Sequence, residues 1–265
     1  MVQFFRRKLP SFLGAAALAA TFMASGVVNA AASFPDATCA GGTVAAGTYH
    51  SLTITGFCLL NGGNVTVQRN VVIQTGATLL AAFDGSNLSV GRDLLVGSNA
   101  RLVLGCEPAI FPCFGDADGV TSDTIGNNLV AIGAKEVIAH HNTVWGEVAQ
   151  TGGGGGLFCD FSMGFASLFY STYEDNVIHG DATVADLKTC WLGFIRNTVW
   201  GTANLNQNST FDEDGNEFIS NTVHGNLNCF DNDPAAQVGD SGGSPNVVFG
   251  VARGQCAALS VPPAL

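Results

Sequence analysis

The sequence predicts an all-β solenoid, and three observations favour that fold class. The 265 residues include 34 glycines and only 12% charged residues, a composition typical of many tight turns and few helices. Hydrophobic residues make up 47% of the chain, which is enough for a packed core and excludes intrinsic disorder. Short segments also recur along the chain, and repeats with periods of roughly 20–50 residues indicate stacked units.

The first thirty residues are typical of a secretory signal. A positive cluster, Arg6 to Lys8, precedes an apolar stretch over residues 9–28, and residues 28–30 place small side chains at a cleavage site. An uncleaved membrane anchor is the alternative, because the apolar stretch is about long enough to span a bilayer. Sec and twin-arginine export both fit this segment. We expect a secreted protein with no transmembrane segment in the mature chain.

Net charge limits the partners of such a protein. The whole chain has 10 basic and 21 acidic residues, for a net charge of −11. Cleavage after residue 30 removes three basic residues and no acidic one, so the mature chain carries −14. Nucleic acids and anionic membranes require clustered positive charge, so we expect neither as a partner.

The first half of the chain contains one repeat. Residues 64–73 match residues 87–96, and the match continues from 77–79 to 100–102. A partial copy follows at 128–133, after an insertion. Each unit holds short β-branched runs broken by Gly and Asn, and none contains a long amphipathic helix.

The second half carries a sharper repeat of five residues. Its order is Asn, two β-branched residues, a ring-bearing residue and Gly. Its five copies are Asn142-Thr-Val-Trp-Gly146, Asn176-Val-Ile-His-Gly180, Asn197-Thr-Val-Trp-Gly201, Asn221-Thr-Val-His-Gly225 and Asn246-Val-Val-Phe-Gly250. About three short strands per period predict a single-stranded right-handed parallel β-helix with short loop insertions. We assign residues 31–49 to an N-terminal cap and residues 50–260 to the β-helix.

The chain resembles right-handed parallel β-helix proteins, and more closely small secreted β-helix proteins common in actinobacteria. Residues 221–229, 231–236, 245–250 and 254–256 carry the resemblance, which extends over residues 50–256. That group has no assigned activity, so the resemblance implies the fold and export, and it leaves the function open.

Alternation along a strand places the repeated asparagine inside. In residues 219–227 the odd positions share one face, so Asn221 points inward with Ile219 and Val223. A buried amide needs hydrogen-bond partners, which stacked asparagines supply from coil to coil. We interpret the repeated asparagines as a structural ladder, with a binding role as the alternative.

Eight cysteines follow the signal, and an even count in an exported chain predicts disulfides. No C-x-x-C pair is present, which argues against zinc. Because contacts in a solenoid are local, we favour pairing of neighbours over the other connectivities, with free thiols as the alternative. The favoured pairs are Cys39–Cys58, Cys106–Cys113, Cys159–Cys190 and Cys229–Cys256.

The ring-bearing position of the repeat points outward by the same alternation. These five residues should form one stripe, because neighbouring strands lie about 4.8 Å apart; they are Trp145, His179, Trp200, His224 and Phe249. Exposed aromatic rows suit stacking on sugars or docking a partner. Alternatively, the aromatic insertion 158–173 folds back and covers them.

Acidic loops provide weak candidates for a Ca²⁺ site, and no other cofactor is expected. The candidate ligands are Asp116 and Asp118 in one loop and Asp212 and Asp214 in another. Solvated acidic turns are the alternative, since the spacing does not match an EF-hand.

One motif suggests a protease. Gly239-Asp-Ser-Gly-Gly243 resembles the nucleophile motif of trypsin-like proteases, and Ala139-His140 resembles their histidine motif. The chain ends at Leu265, too soon after Ser241 for the strands and terminal helix that such a protease needs around its specificity pocket. We therefore reject that interpretation.

No other motif settles a chemistry. We expect a structural or binding protein outside the cell or at its envelope, with an extracellular polysaccharide or an envelope component as partner. The alternative is a polysaccharide lyase or glycoside hydrolase of the β-helix type, although the fold alone does not determine activity.

Overall fold

The computed structural model describes residues 34–108, 110–162 and 168–264. The predicted signal, residues 1–30, lies outside this part of the chain. The described residues form a parallel β-helix of 28 short strands, which confirms the predicted architecture. No helix in the described residues is long and apolar enough to cross a membrane.

The coils of the β-helix contribute strands to three faces, and face C ends before faces A and B do. Face A is a ten-stranded parallel sheet, formed by β2 (Gly47–Tyr49), β4 (Val65–Val67), β7 (Leu88–Val90), β10 (Thr124–Ile125), β13 (Thr143–Val144), β16 (Val177–Ile178), β20 (Thr198–Val199), β24 (Thr222–Val223), β26 (Asn246–Val248) and β28 (Ser260–Val261).

Faces B and C belong to one 16-stranded sheet, since β1 (Ala37–Thr43) and β3 (Leu52–Leu59) extend across both. Face B continues with β5 (Val71–Ile73), β8 (Leu94–Val96), β11 (Leu129–Ile132), β14 (Val148–Thr151), β17 (Ala182–Ala185), β21 (Ala203–Asn206), β25 (Leu227–Cys229) and β27 (Ala252–Gly254). Face C continues with β6 (Thr78–Ala81), β9 (Arg101–Leu104), β12 (Glu136–His140), β15 (Ser171–Glu174), β19 (Leu192–Ile195) and β23 (Glu217–Ile219).

A two-stranded sheet and two 3-10 helices complete the described fold. Strands β18 (Lys188–Thr189) and β22 (Ser209–Thr210) pair at the corner between faces B and C. One 3-10 helix, Gly239–Ser241, lies in the loop of the last full coil. A second, Gln255–Leu259, follows β27, and its buried residue is Cys256.

Coils begin earlier than the sequence indicated. Strand β1 pairs with β3, and β2 pairs with β4, so stacking already starts at Ala37. The segment 31–49, predicted to be a cap, therefore contributes a coil of its own from Ala37 onwards. Its strands lack the Asn-containing repeat that marks later coils, which is why repeats in the sequence do not reveal it.

Strand register follows the sequence repeats. In the first half Val65 lies opposite Leu88, Val71 opposite Leu94 and Leu79 opposite Leu102, as the match between the two units predicts. In the second half equivalent repeat positions also lie opposite one another on face A: Thr143, Val177, Thr198, Thr222 and Val247. Because paired residues point the same way, each repeat position forms a column along the molecule.

Inward columns of aliphatic and aromatic residues fill the centre. Val223, Leu227 and Phe218 are fully buried, as are the corresponding Val199, Ala203 and Phe194 one coil earlier. Burial of such side chains is worth roughly 1.5–3 kcal/mol each, so the stacked columns supply the main driving force for folding.

A left-handed residue turns the chain at the corner between faces C and A. His141, Asp175, Arg196 and Ser220 have φ between 56° and 62°. An L-residue in this conformation costs about 1–2 kcal/mol. In each case the next residue is the repeated asparagine, whose side chain enters the interior and stabilises the corner.

The asparagines form the predicted ladder. The Oδ1 of Asn197 accepts hydrogen bonds from the backbone N (3.1 Å) and Nδ2 (3.0 Å) of Asn176. Its own Nδ2 donates to the Tyr173 carbonyl oxygen at 2.7 Å and to Asn221 Oδ1 at 3.1 Å. Asn221 bonds Asn246 in the same way. Every amide group thus joins two coils, which supports the structural interpretation over a binding role.

A second ladder, at the corner between faces B and C, was not recognised in the sequence. Asn208 donates from its backbone N to Asn232 Oδ1 at 3.0 Å, and Asn232 Nδ2 donates to Gln255 Oε1 at 2.8 Å. The residues before Asn208 and Asn232 are again left-handed, Gln207 and Asp231. The available signal was the separation of 24 residues between Asn208 and Asn232, which matches the length of one coil. Two asparagines are too few to be recognised as a repeat.

Four disulfides are present, and their connectivity is the predicted one: Cys39–Cys58, Cys106–Cys113, Cys159–Cys190 and Cys229–Cys256. No cysteine of the described residues is free. The Cys229–Cys256 bond links β25 to the C-terminal 3-10 helix, and closing this loop contributes on the order of 3 kcal/mol.

We expect replacement of Asn197 by Ala to lower the free energy of unfolding by about 2–4 kcal/mol, because the Asn176 N–H and the Tyr173 carbonyl both lose buried partners. Urea denaturation measures this difference. Asn204→Ala is the matched control, since Asn204 accepts one bond from Asn228 on the outer surface of face B. Equal losses in the two variants would contradict the role of the inner ladder.

One acid, Asp123, sits beside the asparagines of the ladder. Its backbone N donates to Asn142 Oδ1 at 3.1 Å, its Oδ1 accepts from the Leu88 N–H, and its Oδ2 has no hydrogen-bond partner among the described residues. Complete burial raises the pKa of Asp123 from 3.8 to about 7.

The raised pKa predicts how stability responds to pH at this position. An ionised Asp123 is disfavoured in the folded state, so its destabilising effect is full above pH 7 and declines as the pH falls toward 3.8. We expect Asp123→Asn to melt at a higher temperature than the wild type at pH 8, with a smaller difference at pH 4.5. Thermal melts at both pH values test this, and a difference independent of pH would contradict the assignment.

Candidate functional site

Five outward side chains form a continuous row along face A, as predicted. We call Trp145, His179, Trp200, His224 and Phe249 the aromatic ridge. Each follows directly after a face A strand, at the first position of the turn toward face B. Trp145 is 57% exposed, and Trp200 and Phe249 are each 52% exposed, whereas the two histidines are half-buried between them.

The rings of the ridge stack on one another. Ring centroids lie 4.1 Å apart for Trp145 and His179, with an interplanar angle of 6°. His179 and Trp200 are 6.3 Å apart at 2°, so these parallel rings are offset. Trp200 and His224 are 4.0 Å apart at 3°. His224 and Phe249 follow at 4.6 Å and 17°. Strand register imposes this geometry, because each ring is attached to the same position of successive coils.

Stacking decides which part of each ring can meet a ligand. Neighbouring rings cover one another's faces inside the ridge, so the ring edges point to solvent. No hydrogen bond within the described residues engages the ring nitrogens of Trp145, His179, Trp200 or His224. Ring edges carry the positive end of the aromatic quadrupole, and ring N–H groups are donors. The ridge therefore offers a ligand a line of apolar edges with donor groups.

The aromatic insertion packs elsewhere where the structure describes it. Cys159 is tied to Cys190, and the centre of the Phe169 ring lies 3.6 Å from Lys135 Nζ and 5.0 Å from the Arg101 guanidinium carbon. These contacts are at the corner between faces B and C. The exposure of Trp145 and Trp200 shows that the described part of the insertion does not cover the ridge.

The acidic candidates separate into turns and one cluster. Asp116 and Asp212 each accept a hydrogen bond at 3.1 Å from the backbone N of the acid two residues on, Asp118 and Asp214. Such bonds are typical of solvated turns. Only Asp214 of these four belongs to a carboxylate cluster in the described residues, with Glu217 and Asp240.

This cluster could hold a metal ion, since one oxygen from each of Asp214, Glu217 and Asp240 lies within 4.8 Å of the others. Glu217 is buried and is already bonded by Trp191 Nε1 (3.1 Å) and the Ser241 backbone N (3.2 Å). Asp240 was not predicted as a ligand from the sequence. It belongs to the following coil, and only the fold places it beside the acidic loop.

Ser241 has no catalytic partner among the described residues. Its hydroxyl donates to the Val238 carbonyl oxygen at 2.6 Å. His140 lies on β12 and stacks on Phe111 with ring centroids 4.7 Å apart. The serine and the histidine belong to coils that are several rungs apart, so the two side chains do not form the arrangement of a serine protease.

Ionisable side chains also meet at the corner between faces C and A, beneath the Cys106–Cys113 loop. Arg196 Nη2 lies 2.6 Å from Glu174 Oε2 and 2.8 Å from Asp175 Oδ2. Burial, followed by a hydrogen bond to Asp175, raises the pKa of Glu107 to about 7. Burial lowers the pKa of His140 to about 3, so this ring is neutral.

This cluster was not predicted from the sequence. Asp175 and Arg196 occupy the position before the repeated asparagine in successive coils, and their opposite charges were the available signal. Glu107 comes from a loop whose path only the tertiary structure shows.

One open cavity of about 600 Å³ lies on face B, where it is lined by aliphatic side chains such as Val72, Leu95, Val130 and Ile132. None of its lining residues is an acid, a base or a cysteine, so it offers no catalytic group.

Comparison with known proteins gave no significant match to any protein-family model, curated protein or solved structure.

We expect Trp200→Ala to lower the free energy of unfolding by about 1–2 kcal/mol, because the ring is half-exposed and contributes mainly its stacking on two histidines. Phe218→Ala, which removes a fully buried ring, should cost about 3–5 kcal/mol. Urea denaturation of both variants tests the assignment. A Trp200 variant as destabilised as the Phe218 variant would show that the ridge belongs to the core.

Proposed function

We propose that this chain is an extracellular, non-catalytic binding protein whose aromatic ridge docks an extended polysaccharide. One observation carries the proposal: five ring-bearing side chains lie in register on five successive coils, outward-facing and without a hydrogen-bonding partner in the described residues. A structural role alone does not require rings at this outward position, where Thr or Ser would suffice.

The chemistry of the ridge suits a sugar polymer. Hydroxyl and ring oxygens accept hydrogen bonds from the outward N–H groups of Trp and His, and the C–H surfaces of sugar rings contact the aromatic edges. At about 4.8 Å per coil the ridge spans roughly 19 Å, so a linear chain lying along the molecule touches several rings at once.

Support for secretion comes from the covalent structure. Four disulfides are consistent with an oxidising compartment. The disulfides and the two ladders also make a rigid scaffold, and a preformed ridge avoids the entropic cost of ordering its side chains on binding. Ca²⁺ at the Asp214 cluster would be a structural ion in this scheme, remote from the ridge.

A glycan array followed by affinity electrophoresis of the mature protein in polysaccharide gels tests the proposal. We expect retardation by at least one polysaccharide, and we expect Trp200→Ala to weaken binding about two- to tenfold, from ~0.5–1.5 kcal/mol per aromatic contact. Phe211→Ala is the matched control, since Phe211 is 60% exposed but lies off the ridge. Equal weakening in both variants, or no retardation by any polysaccharide, would refute the proposal.

Glycoside hydrolysis is the second candidate, and the Glu107 cluster favours it. The Glu107 carboxyl, with a pKa of about 7, has the protonation required of a general acid. Release of reducing ends from a polysaccharide that binds, abolished by Glu107→Gln, would establish this activity. The absence of such release would leave the binding function alone.

A further inference from the structure

The N-terminal end of the aromatic ridge lies at Trp145, which stacks on only one ring among the described residues. On face A, Thr143 pairs with Thr124, which pairs with Ser89. The ring position lies two residues further along each strand, so the column continues beyond Trp145 as Gly126 and Gly91. Each of the other four rings has a ring on its N-terminal side, whereas Trp145 has a glycine there. One face of the Trp145 indole therefore lacks a stacked ring in the described part of the chain.

The backbone enforces this gap. A Cβ atom on Gly126 would lie 2.6 Å from the Gly91 carbonyl oxygen, and one on Gly91 would meet the Gln68 carbonyl oxygen even more closely. Side chains are thus excluded from two successive coils, and the next side chain in the column is that of Gln68. The resulting slot runs from Trp145 to Gln68 over three coil spacings, or about 14 Å.

Polar groups border the slot. Ser89 and Thr124 stand on the same outward surface, two residues before Gly91 and Gly126. No hydrogen bond within the described residues engages their hydroxyl groups or the Gln68 amide. A ligand with hydroxyl groups can bond to these side chains without displacing a protein partner.

Two arginines follow the slot residues directly. Arg69 comes after Gln68 and Arg92 after Gly91, and the Arg92 backbone N donates to the Arg69 carbonyl oxygen at 3.1 Å. Both side chains are exposed, and neither forms an ion pair within the described residues. Like charges on adjacent coils are unfavourable, so an anion between the two arginines is favourable. The Asp36 carboxylate also interacts with Arg69, but it is hydrogen-bonded to His50 and Ser51.

We propose that this slot binds one carboxylated pyranose of the polysaccharide. The sugar face stacks on the open indole face of Trp145, and the carboxylate meets Arg92 and Arg69, whose planar guanidinium groups match a carboxylate in two-point geometry. The inference rests on the proposed glycan-binding function and adds the substrate class: a glycan that contains uronate.

Isothermal titration with two probes of equal length tests the slot, one an oligosaccharide containing glucuronate and the other a neutral gluco-oligosaccharide. We expect the acidic probe to bind at least tenfold more tightly at low salt, with a difference that shrinks as salt increases. Arg92→Gln should remove most of that preference and leave neutral binding unchanged. Arg253→Gln is the matched control, because Arg253 is an exposed arginine on face B.

The tryptophan variants separate the slot from the ridge. Trp145→Ala should weaken binding of the acidic probe more than Trp200→Ala does, whereas Trp200→Ala should weaken both probes and preserve their ratio. Circular dichroism confirms that each variant is folded.

Equal affinity of the wild type for the two probes, or a preference that survives Arg92→Gln, overturns the slot and leaves the ridge proposal standing. Failure of the protein to bind either probe, together with every polysaccharide of the array, overturns both.

Discussion

Hydrogen bonds between inward asparagines hold the coils of this molecule in register. Each corner between faces C and A uses a left-handed residue, such as Arg196 or Ser220, that is unfavourable by itself. The asparagine that follows bonds the backbone of the coil before it and the amide of the coil after it. A shift by one residue would turn these amides to solvent and expose the apolar columns, so the ladder allows only one register.

The outward surface inherits its order from this inner constraint. Rings that belong to separate repeats of the chain become neighbours at 4.0 to 6.3 Å because the strands that carry them cannot slide. Stacking then turns the ring faces toward one another and the edges toward solvent. The same register places Gly126 and Gly91 next to Trp145 in the column, so the N-terminal face of this indole has no ring neighbour among the described residues. Structural repetition and the proposed binding surface are consequences of the same pairing.

Departures from the repeat occur where chain is inserted at corners. The segment between Gly105 and Asp123 leaves the corner between faces C and A and carries Glu107 over the ion pairs of Arg196. Where the inserted segment rejoins face A, the ladder position next to Asn142 is occupied by Asp123. The insertion thereby introduces one fully buried carboxyl, Asp123, and one partly buried carboxyl, Glu107, whose pKa values are raised because burial penalises their charged forms.

The sequence alone determined the solenoid, the register of its coils, the disulfide pairs, the inward Asn221 column and the outward row from Trp145 to Phe249. Most of these follow from periodicity, since a repeat in sequence becomes a column in space, and the disulfide pairs follow from the local contacts of a solenoid. Three features required the tertiary structure: the coil that starts at Ala37, the second ladder through Asn208, and the meeting of Glu107 with Asp175. These depend on contacts between segments that share no clear repeat or arise in insertions. The mutual covering of the ring faces is a fourth such feature, because periodicity fixes where a side chain is attached and packing fixes how its ring plane is turned.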